Sequence, residues 1–117
     1  MKQQQKMEEG TILTRSWGYD QTNVNFYVVI RRTKTMAIIQ PIVKEYVGKK
    51  GEYHDLVAPV LREGEPIVKG VDTGSLRRKV LEYDGKPFLS YANWAGAGVI
   101  TVWDGSPQIQ TAAGFGH

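Results

Sequence analysis

Residues 23–31 read Asn23-Val24-Asn25-Phe26-Tyr27-Val28-Val29-Ile30-Arg31, and this stretch decides the fold. β-branched and aromatic residues dominate it, which suits a pleated, half-buried surface. Strict alternation sends Val24, Phe26, Val28 and Ile30 one way, and Asn23, Asn25, Tyr27, Val29 and Arg31 the other. A polar turn at Thr33, Lys34 and Thr35 follows. Residues 36–47 then read as a second, longer strand, bent at Pro41 because proline has no N–H to give a ladder. The pair predicts a hairpin. Upstream, residues 11–16 predict a further strand, with Ile12 and Leu13 as its apolar content.

Downstream, one pattern occurs twice: Tyr83-Asp84-Gly85-Lys86-Pro87 and Trp103-Asp104-Gly105-Ser106-Pro107. Asp-Gly between apolar runs marks a tight hairpin turn, because glycine accepts the positive φ such turns need. Strands are expected before each turn, at 79–83 and 99–103. Shorter ones are expected after each, at 88–91 and 108–111. Two hairpins follow from this reading. Residues 48–74 are harder to read: a basic turn at Gly48-Lys49-Lys50-Gly51, then short strands near 56–61, broken by Pro59, and 67–71. The alternative to an all-strand reading is a helix over 75–82, capped by Ser75, with Leu76, Val80 and Tyr83 on one face.

The chain has 117 residues, enough for one domain. It contains no cysteine, which excludes disulfides, thiolate metal sites and cysteine nucleophiles. Fifteen lysines and arginines against twelve acids leave a net charge of +3, which permits an acidic partner without demanding one. No apolar run reaches the ~20 residues of a membrane span, and the polar N-terminal segment lacks the apolar stretch of a signal peptide, so a cytoplasmic, non-membrane protein is expected. The expected organisation is a polar tail over 1–9, then one β-rich domain over 10–117 with a variable excursion at 48–74. The expected fold is mainly β with at most one short helix: a small antiparallel barrel, SH3-like barrels included, or a sandwich.

The richest candidate for function is Ser16-Trp17-Gly18-Tyr19-Asp20-Gln21-Thr22-Asn23. It places aromatic faces beside hydrogen-bonding groups, the makings of a ligand pocket. Trp17, Tyr19, Asp20, Gln21, Asn23 and Tyr27 are therefore the candidate ligand-binding residues. The structural alternative is that Trp17 closes the end of the core while Asp20 and Asn23 close an Asx turn. The basic candidates are Arg31, Arg32 and Lys34, at an expected hairpin tip, and Arg77, Arg78 and Lys79. Brought together by the sheet, they would form a patch for phosphates. The plain alternative is a set of solvated charges. His54 and His117 stand at no metal-ligand spacing, and no nucleophile, P-loop or dinucleotide motif is present, so neither metal nor cofactor nor catalytic residue is assigned.

The run Gly10-Thr11-Ile12-Leu13, then Ser16 to Tyr27, resembles an uncharacterised family of small proteins of bacteriophages and mobile elements. Leu89-Ser90-Tyr91-Ala92, Trp103 to Pro107 and the ending Gly114 to His117 share the resemblance. That family often carries Asp at the position of Asn25. The resemblance implies an accessory protein in the cytoplasm of an infected bacterial host, and it implies no activity. Two functions fit these readings: a non-catalytic module binding nucleic acid or a nucleotide, or a counter-defence protein that contacts a host protein or sequesters a signalling nucleotide. A small nucleotide-acting enzyme is the third. A homo-oligomer is compatible with each.

Overall fold

The computed structural model describes residues 6–18, 22–68, 75–92 and 97–111. Among them are twelve strands and no helix: β1 (Ile12–Trp17), β2 (Asn23–Arg32), β3 (Met36–Ile42), β4 (Lys44–Lys49), β5 (His54–Pro59), β6 (Leu61–Arg62), β7 (Glu65–Pro66), β8 (Leu76–Lys79), β9 (Leu81–Tyr83), β10 (Lys86–Ser90), β11 (Val99–Val102) and β12 (Gln108–Thr111).

The β2–β3 hairpin is the centre of a seven-stranded antiparallel sheet in the order β8-β3-β2-β1-β11-β10-β9. Its two edges are one piece of chain. β8 pairs with β3, β9 pairs with β10, and only Val80 separates them. Val80 donates its N–H to Thr35 O at 2.9 Å, which fixes the bend. The sheet is thereby nearly closed into a small barrel. The helix considered for 75–82 is absent, and β8 and β9 take its place. Leu76 and Val80 still pack on the core, because a spacing of four brings residues to one side in a strand as well as in a helix.

Both faces of β2 are covered, so Phe26, Tyr27, Val28 and Val29 are all buried. Tyr27 and Val29 face the barrel interior with Leu13, Ala37, Ile39, Leu89 and Ile100. Met7, from the polar N-terminal segment, joins them. Val24, Phe26 and Val28 face outward and meet Ile42 and Val57. Val57 belongs to a second sheet, β12-β5-β4, which lies over that outer face. The chain reaches it directly: after Val43, β3 gives way to β4. Pro41 sits opposite Tyr27, beyond the part of β3 that pairs with β8, so its missing N–H costs no ladder bond on that side. The stretch 48–68 supplies the end of β4, β5 and the small β6–β7 hairpin.

Asp84 and Gly85 form the two-residue turn between β9 and β10, with φ of 52° and 75° and Tyr83 opposite Lys86. Asp104 and Gly105 also turn the chain, but not into a hairpin. β11 stays in the barrel while β12 crosses to pair with β5. That turn is closed by its own side chain: Asp104 Oδ1 accepts from Ser106 N at 2.9 Å and Ser106 Oγ at 2.7 Å. The Ser106 bonds hold the Asp104 carboxyl below the usual carboxylate range.

Candidate functional site

The C-terminal ends of β1 and β10 and the N-terminal ends of β2 and β11 meet at one end of the barrel. Here lies Arg15, the one charged residue that is buried among the described residues, at 4% exposure. It follows Leu13 on the inner face of β1, opposite Asn25 on β2 and Ile100 on β11. Its guanidinium carbon stands 3.4 Å from the ring centre of Tyr91 and 4.8 Å from that of Trp17. Its Nε donates to Ala97 O at 2.6 Å. The Tyr27 hydroxyl is within hydrogen-bonding reach of it. Burial pushes the Tyr27 phenol up, against the opposing hydrogen bond and charge of Arg15, so its hydroxyl stays protonated at neutral pH.

No carboxylate among the described residues pairs with Arg15. Taking a charge out of water costs several kcal/mol. Each ring contact returns about 0.5–2 kcal/mol and the bond to Ala97 about 1.5–3 kcal/mol. The two sides are of similar size, so Arg15 is not explained by stability.

Trp17 is the last residue of β1 and is half-buried. Its Nε1 donates to Asn25 Oδ1 at 2.5 Å while its ring lies against Arg15. Gly98 brings the chain back into β11 so closely that a Cβ there would collide with Ser16 O. Thr22 is tied to the second sheet: Thr111 N donates to Thr22 O at 2.9 Å, and Thr22 N donates to Thr111 Oγ1 at 2.8 Å. Of the ligand-binding candidates, Trp17, Asn23 and Tyr27 are thus at this end, with Tyr27 inside the barrel. Tyr19, Asp20 and Gln21 lie outside the described residues. Trp17→Ala should cost about 2–3 kcal/mol, less than a fully buried tryptophan, and lower the melting temperature by roughly 10–15 °C. A variant melting within a few degrees of the parent would show that the ring supports nothing here.

The basic candidates lie at the other end of β2 and separate by face. Alternation along β2 breaks between Val29 and Arg31, where a bulge shifts the register. Arg31 consequently pairs with Ile38, and Ile38 with Arg77, in one row across β2, β3 and β8. Directly paired residues share a face, so Arg31, Arg77 and, two positions on, Lys79 point outward together. All three are exposed, as is Lys34 in the β2–β3 turn, and none pairs with a carboxylate among the described residues. Arg32 and Arg78 instead flank Ala37 on the inner side. Arg32 Nε donates to Met7 O at 2.8 Å and Nη1 to Met36 O at 3.2 Å. Arg78 Nε donates to Tyr91 O at 3.1 Å, linking β8 to the end of β10. Two of the six basic candidates therefore hold carbonyls of the fold.

Two features escaped the sequence reading. The first is Arg15, and the second is a groove of about 470 Å³ on the β9–β10–β11 side, lined by Tyr83, Lys86, Phe88, Val99 and Thr101 among others. Tyr83 is 78% exposed there and Val99 48%. Continuing the alternation from Leu13 would have put Arg15 on the apolar face of β1. No group of potential metal ligands occurs among the described residues, nor a helix long and apolar enough to cross a membrane. No protein-family model, curated protein or solved structure matches the chain.

Proposed function

We propose that this chain is a non-catalytic accessory protein of a phage or mobile element that holds nucleic acid on the outer face of β2, β3 and β8. The observation that supports this most is the exposed row of Arg31 and Arg77 around Ile38, with Lys79 and Lys34 beside it and no carboxylate pairing with it among the described residues. Backbone phosphates are recognised by such cations, and binding releases counterions. Replacing Arg31 and Arg77 together by alanine should weaken binding to a single-stranded oligonucleotide. It should also flatten the plot of log K against log salt by about 1.4 units, at roughly 0.7 per lost contact. An unchanged slope in an anisotropy titration would remove the row from the interface.

The second reading is counter-defence by contact with a host protein. The groove supports it, because an open apolar concavity rimmed by an exposed tyrosine and a lysine is the surface a protein partner covers. On that reading Tyr83→Ser removes binding to the host protein and leaves the salt slope for nucleic acid untouched.

A further inference from the structure

Among the described residues, the barrel end around Arg15 is rich in donors and poor in acceptors. Nε of the guanidinium donates to Ala97 O and the guanidinium also bonds the Tyr27 hydroxyl, which leaves further N–H groups without a partner among the described residues. The Trp17 indole has no lone pair to offer, so the atom of Asn25 facing it must be the amide oxygen. That orientation leaves the Asn25 NH₂ group as a donor, on the residue directly opposite Arg15. The Tyr27 hydroxyl, kept protonated by its burial, is a third donor beside the guanidinium. The positive charge itself is unanswered by any carboxylate among the described residues, although it is buried. The Tyr91 and Trp17 rings both lie against the guanidinium.

We propose that Arg15, the Asn25 amide group and the Tyr27 hydroxyl bind a small oxyanion, a carboxylate or a phosphate, at this end of the barrel. An oxyanion meets each requirement of the site: it accepts every hydrogen bond on offer and supplies the missing counter-charge. Planar N–H pairs of arginine match carboxylate and phosphate oxygens two at a time. This site lies at the opposite end of β2 from the row formed by Arg31 and Arg77, so neither proposal depends on the other.

The test is the melting temperature of the full chain at constant ionic strength, titrated separately with inorganic phosphate, a nucleoside 5′-monophosphate and acetate. A ligand that binds only the folded chain raises it, and above Kd the rise is logarithmic in ligand concentration. The expected result is such a logarithmic rise with at least one of the three. Which one responds identifies the source: acetate a carboxylate, phosphate a free phosphate, the monophosphate alone a nucleotide. Arg15→Met should abolish the rise. It should also melt no lower than the parent in the absence of anion, since an apolar side chain often replaces a buried charge without loss. Asn25→Asp keeps the acceptor for Trp17 and adds a carboxylate opposite Arg15. It should melt above the parent without anion and respond to none. Arg31→Ala with Arg77→Ala should keep the full response. The proposal is overturned if none of the three anions gives a logarithmic rise that Arg15→Met abolishes, or if Asn25→Asp responds as the parent does. Should Arg15→Met fail to fold, Asn25→Asp alone decides.

Discussion

Gly98→Ala should lower the melting temperature of the full chain by about 10–20 °C, equivalent to ~2–4 kcal/mol in a domain of this size. Two independent penalties meet at this residue. Its φ of 76° lies in the left-handed region, which alanine adopts only at a cost of about 1 kcal/mol. A methyl group there would also press on Ser16 O, a backbone atom held in the β1 ladder, so the neighbour has no side chain to swing aside. Relief requires the return into β11 to move, and Ala97, whose carbonyl accepts from Arg15, moves with it. Gly85→Ala is the control, since its φ of 75° is similar but nothing stands within reach of its Cβ. A thermal melt by circular dichroism should show Gly85→Ala losing about a third as much. Equal losses would mean that backbone conformation alone matters and that the close approach of the two strands does not.

Phe26→Ala should be more damaging, at about 3–5 kcal/mol, because Phe26 is fully buried between the two sheets. Its ring meets Trp103 edge-on at 6.0 Å between centroids and packs with Val24, Val28, Ile42 and Val57. Removing it opens a cavity at the place where the second sheet rests on the barrel. Amide hydrogen exchange should then show β5 losing protection ahead of β11, since β11 keeps its own interior contacts through Ile100. A loss below about 1 kcal/mol in denaturant unfolding would contradict the packing of the second sheet on this face.

What the sequence disclosed follows the range over which each signal acts. The alternation in β2 and the Asp84-Gly85 turn are set by neighbouring residues and stand where the pattern puts them. The Asp104-Gly105 turn has the same local chemistry, yet the strand after it joins another sheet. Nothing within five residues specifies which edge a following strand will find. The bulge after Val29 is equally silent in the pattern, and it matters more. Unbroken alternation puts Arg31 on the side of Tyr27, whereas the extra residue turns Arg31 outward and Arg32 inward. The meeting of the Arg31 and Arg77 segments depends on β8 pairing with β3, across more than thirty residues of chain. Arg15 was hidden for another reason. A lone arginine in a short strand reads as solvated until both ring partners, one of them Tyr91, are known to lie beside it.

The proposed sorting of arginines by the sheet sets one group facing a nucleic acid and the other holding the fold. It is tested most directly by measuring the salt dependence of oligonucleotide binding for two double variants side by side. For Arg31→Ala with Arg77→Ala, the slope should fall by about 1.4 units while the melting temperature stays within a few degrees of the parent. For Arg32→Ala with Arg78→Ala, the slope should hold while the melting temperature drops, because bonds to Met7, Met36 and Tyr91 carbonyls are lost. Equal loss of slope in both pairs, or loss only in the second, would contradict the sorting and with it the proposed nucleic-acid face.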